Sequence, residues 1–188
     1  NHKYTVVTSG ISYNALNQVT GQTIITADGN TADGSITAGA IRTTQTESAK
    51  TYDTSGRLTG STVAISEQSI SDQSSGAMIG TTLNHNYTVV TSGITYNSLN
   101  QISGQTIVTT DDGDTAVDGA IRTTQVESNK TYDTSGRLVS TTAVITEESI
   151  THDALGNQVI GATLSHTYTV TTVTTKYNAV NKVAQQTV

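Results

Sequence analysis

The sequence predicts an all-β protein, an antiparallel array of β-hairpins that is solenoid-like or fibre-like in its winding. Three observations carry this. Helix formers are thin, while Thr, Val, Ile and Tyr, which fit a pleated and half-buried surface, are plentiful. Threonine alone is roughly one residue in five, far above ordinary usage. Long segments of the chain recur, and a short turn template recurs inside them about every twenty residues.

The long repeat comes first. His2-Lys3-Tyr4-Thr5-Val6-Val7 and the residues after it to Ile24 return almost unchanged from His85 to Ile107 and begin again at His166. Ile41 to Leu58 returns from Ile121 to Leu138. The period, roughly eighty residues, is of the kind that marks stacked supersecondary units. It divides the chain into copies at 1–83 and 84–164 and the start of a third at 165–188. The chain therefore reads as a truncated window onto a longer array, since neither end looks like the polar cap of a finished one.

Four shorter units build each copy. Their template is an aromatic, Asp or Asn, two variable residues, Gly or Asn, a polar residue and an aliphatic. It is seen at Tyr13, Tyr52-Asp53-Thr54-Ser55-Gly56-Arg57-Leu58, Tyr96, Tyr132-Asp133-Thr134-Ser135-Gly136-Arg137-Leu138 and Tyr177, and His152 replaces the aromatic once. Degenerate versions sit at 30–41 and 71–83. This is turn chemistry: Asp or Asn bonds backbone two residues on, and Gly or Asn accepts positive φ. Turns are expected near 14–17, 28–34, 53–56, 72–76, 97–100, 111–119, 133–136, 153–157 and 178–181. The segments between them, such as Gln18–Ala27, Ile41–Tyr52 and Arg57–Ile70, read as strands. Gly10, Gly21, Gly93 and Gly104 lie inside strands and mark bulges or close backbone approaches.

All eight Tyr sit at repeat-locked positions, each expected to supply its hairpin's largest apolar patch with the hydroxyl at the edge. With no Trp or Phe, a thick core is out of reach. Stability must rest on ladder hydrogen bonds, cross-strand Thr and Val pairs and modest burial.

Composition also excludes classes of function. The absence of Cys removes disulfide frameworks and thiolate metal sites. A net charge of −6 with scattered Lys and Arg offers no basic patch for nucleic acid. No apolar run in this segment approaches the roughly 18 residues that span a bilayer.

The two Tyr-Asp-x-x-Gly-Arg-Leu segments, at Tyr52–Leu58 and Tyr132–Leu138, resemble the YD repeat of the rearrangement-hotspot (Rhs) and teneurin-type surface proteins. The likeness is close for those two units, partial for the Tyr-Asn-x-x-Asn units and His152-Asp153-Ala154-Leu155-Gly156, and in outline covers most of the chain. It implies antiparallel hairpins laid side by side in a long spiralling sheet, at a cell surface or secreted. The chain departs from the family in lacking its closing core motif and a toxin tail, and in being poorer in aromatics and arginine. Those departures favour a regular stalk or fibre over a hollow shell.

Candidate sites are few. Asp28, Asn30 and Asp33 in the first copy, and Asp112, Asp114 and Asp118 in the second, are acidic residues set around Gly. They read as hairpin turns or as loops wrapping Ca²⁺ in six to eight oxygens; calcium is the one candidate cofactor. His2, His85 and His166 recur one repeat apart, either as strand-surface residues or as a metal stripe. Glu47/Lys50/Asp53 and Glu127/Lys130/Asp133 read as ion-pair clusters, with an intramolecular isopeptide bond as the rival. No nucleophile elbow appears, and no enzyme is expected. The expected role is a structural extracellular protein: a surface stalk, fibre or adhesin array. Its partners would be further copies of the repeat, with a surface glycan or protein receptor also in view. The alternatives are a segment of a toxin-enclosing YD shell and a glycan-binding fibre.

Overall fold

The computed structural model describes residues 4–28, 40–70, 79–111, 120–155 and 157–188. Among them there is no helix. Nine strands follow one another in a single antiparallel sheet, each bonded to its neighbours in chain order: β1 Tyr4–Tyr13, β2 Val19–Asp28, β3 Ala40–Tyr52, β4 Leu58–Ile70, β5 Ile79–Tyr96, β6 Ile102–Asp111, β7 Ala120–Tyr132, β8 Leu138–His152 and β9 Gln158–Thr172. A two-stranded hairpin, β10 Thr174–Tyr177 and β11 Val183–Thr187, completes the chain. The sheet is an open meander, an antiparallel hairpin array as the composition and turn template predict.

Cross-strand Thr and Val pairs run through it. Thr23 lies opposite Thr46, Thr26 opposite Thr43, Val63 opposite Val89, and Val126 opposite Val144. Such pairs contribute about 0.2–1 kcal/mol each relative to alanine. One ladder row, Thr23–Thr46–Ala64–Thr88–Thr110, consists of small side chains. The adjoining row on the opposite face, Ile24–Gln45–Ile65–Tyr87–Asp111, is bulkier.

Among the described residues no second layer covers the sheet. Among the described residues the buried apolar side chains are Ile70, Ile94, Ala143 and Ile150. The chain exposes 11200 Å², where a compact globule of its mass exposes about 8,600 Å². Ile70 and Ile150 sit beside wide bulges of β5 and β9, where pairing jumps after Gln68 and Glu148. A buried serine satisfies each bulge. Ser149 Oγ accepts from the amides of Thr163 and Leu164 at 3.0 Å, and Ser69 Oγ accepts from Leu83 N at 3.1 Å.

A second device recurs near the turns. In β1 the register slips between Ser9 and Ser12, and the next pair, Tyr13 with Val19, slips back. The extra residue takes positive φ: Gly10 in β1, Ala49 in β3, Gly93 in β5 and Asn129 in β7, all between 50° and 61°. The four predicted strand glycines divide between two roles. Gly10 and Gly93 make bulges, whereas Gly21 and Gly104 allow close approach: a Cβ there would stand 2.9 Å from Glu47 O and 3.1 Å from Glu127 O.

Candidate functional site

Five of the template's hairpin turns follow one another along one end of the sheet, at 14–18, 53–57, 97–101, 133–137 and 178–182, whereas the turn opened by Asp153 joins β8 to β9 at the opposite end. Each is built by its own Asx side chain. Asp53 Oδ1 accepts from the amides of Ser55 and Arg57, both at 2.9 Å. Asn14, Asn97, Asp133 and Asn178 capture the equivalent pairs at 2.9–3.0 Å. The Asx amide also donates to the carbonyl four residues on, as Asp53 N does to Arg57 O at 2.9 Å. This leaves the fourth residue of each turn in the left-handed region, with φ of 59°–61° at Asn17, Asn100 and Asn181 and 79°–80° at Gly56 and Gly136. Only Gly and Asn adopt that conformation readily, which is why the template allows no other residue there.

The turns also hold one another. Four of the eight Tyr hydroxyls, those that open the second to fifth of these turns, donate to the carbonyl of the aliphatic residue closing the preceding turn. Tyr52 reaches Val19 O at 2.5 Å, Tyr96 reaches Leu58 O at 2.7 Å, Tyr132 reaches Ile102 O at 2.6 Å and Tyr177 reaches Leu138 O at 2.7 Å. The expected apolar patch with its hydroxyl at the edge is therefore a cross-tie between hairpins.

Arginine adds a second tie. Arg57 Nε donates to Asp53 Oδ2 at 2.7 Å, its guanidinium lies 4.6 Å from the Tyr96 ring centroid, and Nη1 donates to Asn100 Oδ1 at 2.9 Å. Arg137 repeats this on Asp133, Tyr177 and Asn181 with the same separations. The bonds to backbone and guanidinium hold both Asp carboxyls below their usual range. The amide of Arg57 is the main cause at Asp53, and the Arg137 side chain at Asp133. In the opposite direction Gln18 reaches from its turn toward Gly56, where a Cβ would lie 3.2 Å from Gln18 Nε2. Gln101 stands in the same relation to Gly136, at 3.3 Å.

Beyond the turns lie two polar clusters. In an unbroken strand Glu47 and Lys50 would face opposite sides. The Ala49 bulge brings them together, with Lys50 Nζ 2.5 Å from Glu47 Oε2 and Gln22 Nε2 donating to the same oxygen at 2.6 Å. Lys130, Glu127 and Gln105 repeat the cluster around Asn129, both contacts being 2.6 Å. The lysine bond is the main cause that lowers the Glu47 carboxyl. At Glu127 burial pushes upward, but the bonds from Lys130, Gln105 and Gln125 outweigh it and the net shift is downward. Asp53 and Asp133 lie outside these clusters, held by their arginines.

The two repeat histidines among the described residues, His85 and His166, do not form a stripe. His85 Nε2 lies 2.9 Å from Asp111 Oδ1, and Nδ1 lies 3.7 Å from Glu67 Oε2. The Asp111 bond raises its pKa above the ordinary value. His166 lies opposite Glu147 on β9, four strands away, about 19 Å at the usual strand spacing. His2 lies outside the described residues. Of the candidate calcium residues, Asp28 ends β2 opposite Tyr4; Asn30, Asp33, Asp112, Asp114 and Asp118 lie outside the described residues. Among the described residues no three His, Asp or Glu side chains are grouped to hold a metal ion.

The turn residues were legible from local chemistry. The Arg–Tyr ties, spanning 39 residues from Arg57 to Tyr96, were missed. The signal that could have found them was the alternation of Asp-x-x-Gly-Arg units with Asn-x-x-Asn units along the chain. In comparisons with family models, curated proteins and solved structures, nothing matches this chain.

Proposed function

We propose that this chain is a structural extracellular protein, a piece of a surface stalk, fibre or adhesin array whose natural partners are further copies of the same repeat. The observation that carries this reading is the turn ladder. Each hairpin is tied to the next by a tyrosine hydroxyl, and alternate ones also by an arginine, with the same contacts at equivalent places in both copies. Such an edge extends by adding hairpins, because every contact is made to a nearest neighbour. The chemistry that stands out is repeated and cohesive, whereas an enzyme concentrates its chemistry at one place. The low charge and Thr-rich surface suit a soluble scaffold, and cross-ties at the turns resist the peeling of one strand from the next.

Two observations test the proposal. Antibodies against the folded chain should label intact cells of the source; labelling only after permeabilisation contradicts an extracellular role. Concatemers of the chain should give small-angle scattering from slabs that lengthen in proportion to copy number, by about 4.8 Å per strand. Closed or globular particles contradict the fibre.

A further inference from the structure

The two faces of the sheet differ in chemistry. Cross-strand register puts Glu47, Glu67, Asp111, Glu127 and Glu147 on the face that also carries His85 and Tyr87. The other face carries Thr, Ser, Ala and Val over its centre. Among the described residues of β3 to β8 its charges are Arg42, Arg122 and Glu148, toward the end of the sheet away from the five turns. Val90, Val126 and Val144, in the interior of the sheet, stand 36%, 43% and 37% exposed on this small-residue face.

The two copies of the repeat are unequal on that face. In the first, Thr46 pairs with Ala64; at the equivalent place in the second, Val126 pairs with Val144. Ala64 lies in a depression of about 200 Å³ lined by Thr44, Thr46, Ser66, Asn86 and Thr88 among others, whereas the two valines form a ridge. Between hollow and ridge, on β5 and β6, Val90 pairs with Val108. The row of Thr46 and Ala64 continues to Thr88, and that of Val126 and Val144 to Thr106 and Ser92. Val90 stands halfway between Thr88 and Ser92 on the same strand. The Val90–Val108 pair is therefore midway between hollow and ridge, both across the strands and along them.

We propose that the small-residue face binds a second copy of the same chain, packed face to face about a two-fold axis through the Val90–Val108 pair. Such an axis exchanges hollow and ridge. The Val126–Val144 ridge of each copy enters the Ala64 hollow of the other, and Val90 meets its own counterpart. Packed sheets stand about 10 Å apart, and small side chains suit that approach. A copy is the fitting occupant because one chain carries both halves of the fit, and because no like charges meet over the centre. The opposite face would set its five carboxylates against those of its twin. The area is also sufficient. From β3 to β8 the face is about 29 Å wide, and the eight residues Ser61–Gln68 measure about 27 Å. Each copy thus offers about 800 Å², the share of a standard stable interface. The inference goes beyond the proposed function and needs neither a cell surface nor a fibre; a surface stalk whose chains stay single would refute it alone.

Sedimentation equilibrium of the full chain is expected to show a dimer at micromolar concentration. Ala64→Val fills the hollow and Val144→Ala lowers the ridge; each is expected to weaken the dimer about tenfold. The two together exchange hollow and ridge and are expected to restore it, which a merely destabilised fold would not do. Thr44→Lys, on the same face, is expected to leave a monomer, while Thr43→Lys, on the opposite face, is expected to leave the dimer intact. Circular dichroism confirms that each variant is folded. A chain that is monomeric at millimolar concentration overturns the proposal, as does association of any order that Thr44→Lys leaves intact. A double variant no tighter than the single ones also overturns it.

Discussion

The Asp turns at 53–57 and 133–137 and the Asn turns at 14–18, 97–101 and 178–182 close by the same backbone bonds and play different parts. An Asp turn ends in arginine, which is clamped by its own carboxylate and projects onto the next hairpin. An Asn turn offers the ring and the side-chain oxygen on which that arginine lands. The fourth residue follows suit. In the Asp turn it is Gly, because Gln18 or Gln101 of the preceding turn crowds the place of a Cβ. In the Asn turn it is Asn, whose Oδ1 receives the arginine at 2.9 Å in two of the three cases. What passes in the sequence for one loose template is a complementary pair, and the alternation of its halves keeps neighbouring hairpins in register.

The largest effect should come from erasing the difference at the fourth residue. Gly56→Val, forced to a φ of 80° against Gln18, is expected to cost about 2–3 kcal/mol, while Asn17→Gly should stay within about 0.5 kcal/mol; urea unfolding of both variants measures it. Next comes the projecting arm: Arg57→Ala should cost about 1–2 kcal/mol, and Gln101→Ala, with no such arm, should cost less. Tyr96→Phe removes one hydrogen bond and should cost about 1 kcal/mol, readable as faster amide exchange in β4 and β5.

The smallest effect distinguishes the halves by pH. The carboxyls of Asp53 and Asp133 are held below their usual values. Their contribution is complete above the unfolded value of about 3.9 and is lost as pH falls through the depressed folded value. The Asn turns carry no such group. Replacing both aspartates by Asn should therefore flatten the acid limb of the stability profile below about pH 4. His85 acts in the opposite sense. Its raised pKa gives a contribution complete below its unfolded value of about 6.5 and lost as pH rises through the folded value.

Much of the fold was legible because its signals are local. Asp53 with Gly56, or Asn97 with Asn100, specifies a turn within five residues, and the Thr- and Val-rich runs between turns specify strands. The acid–amine clusters were seen, but not what assembles them: nothing in Glu47-Ser48-Ala49-Lys50 announces that Ala49 takes a φ of 50° and turns Lys50 to the face of Glu47. The break before β10 was equally hidden. Thr174 stands where β5 has Gly93, and a β-branched residue resists positive φ. The strand that runs on to Tyr96 in the second copy is interrupted at Val173 in the third. The arginine ties required the register of neighbouring hairpins, which no single segment contains.

The central claim is that alternate turns are coupled through arginine. A double-mutant cycle between Arg57→Ala and the paired change Tyr96→Leu with Asn100→Gly, followed by urea unfolding, isolates that coupling from the other roles of Tyr96. Complementary turns predict a coupling of about 1 kcal/mol or more. Additive effects would show that the turns lie side by side without holding one another.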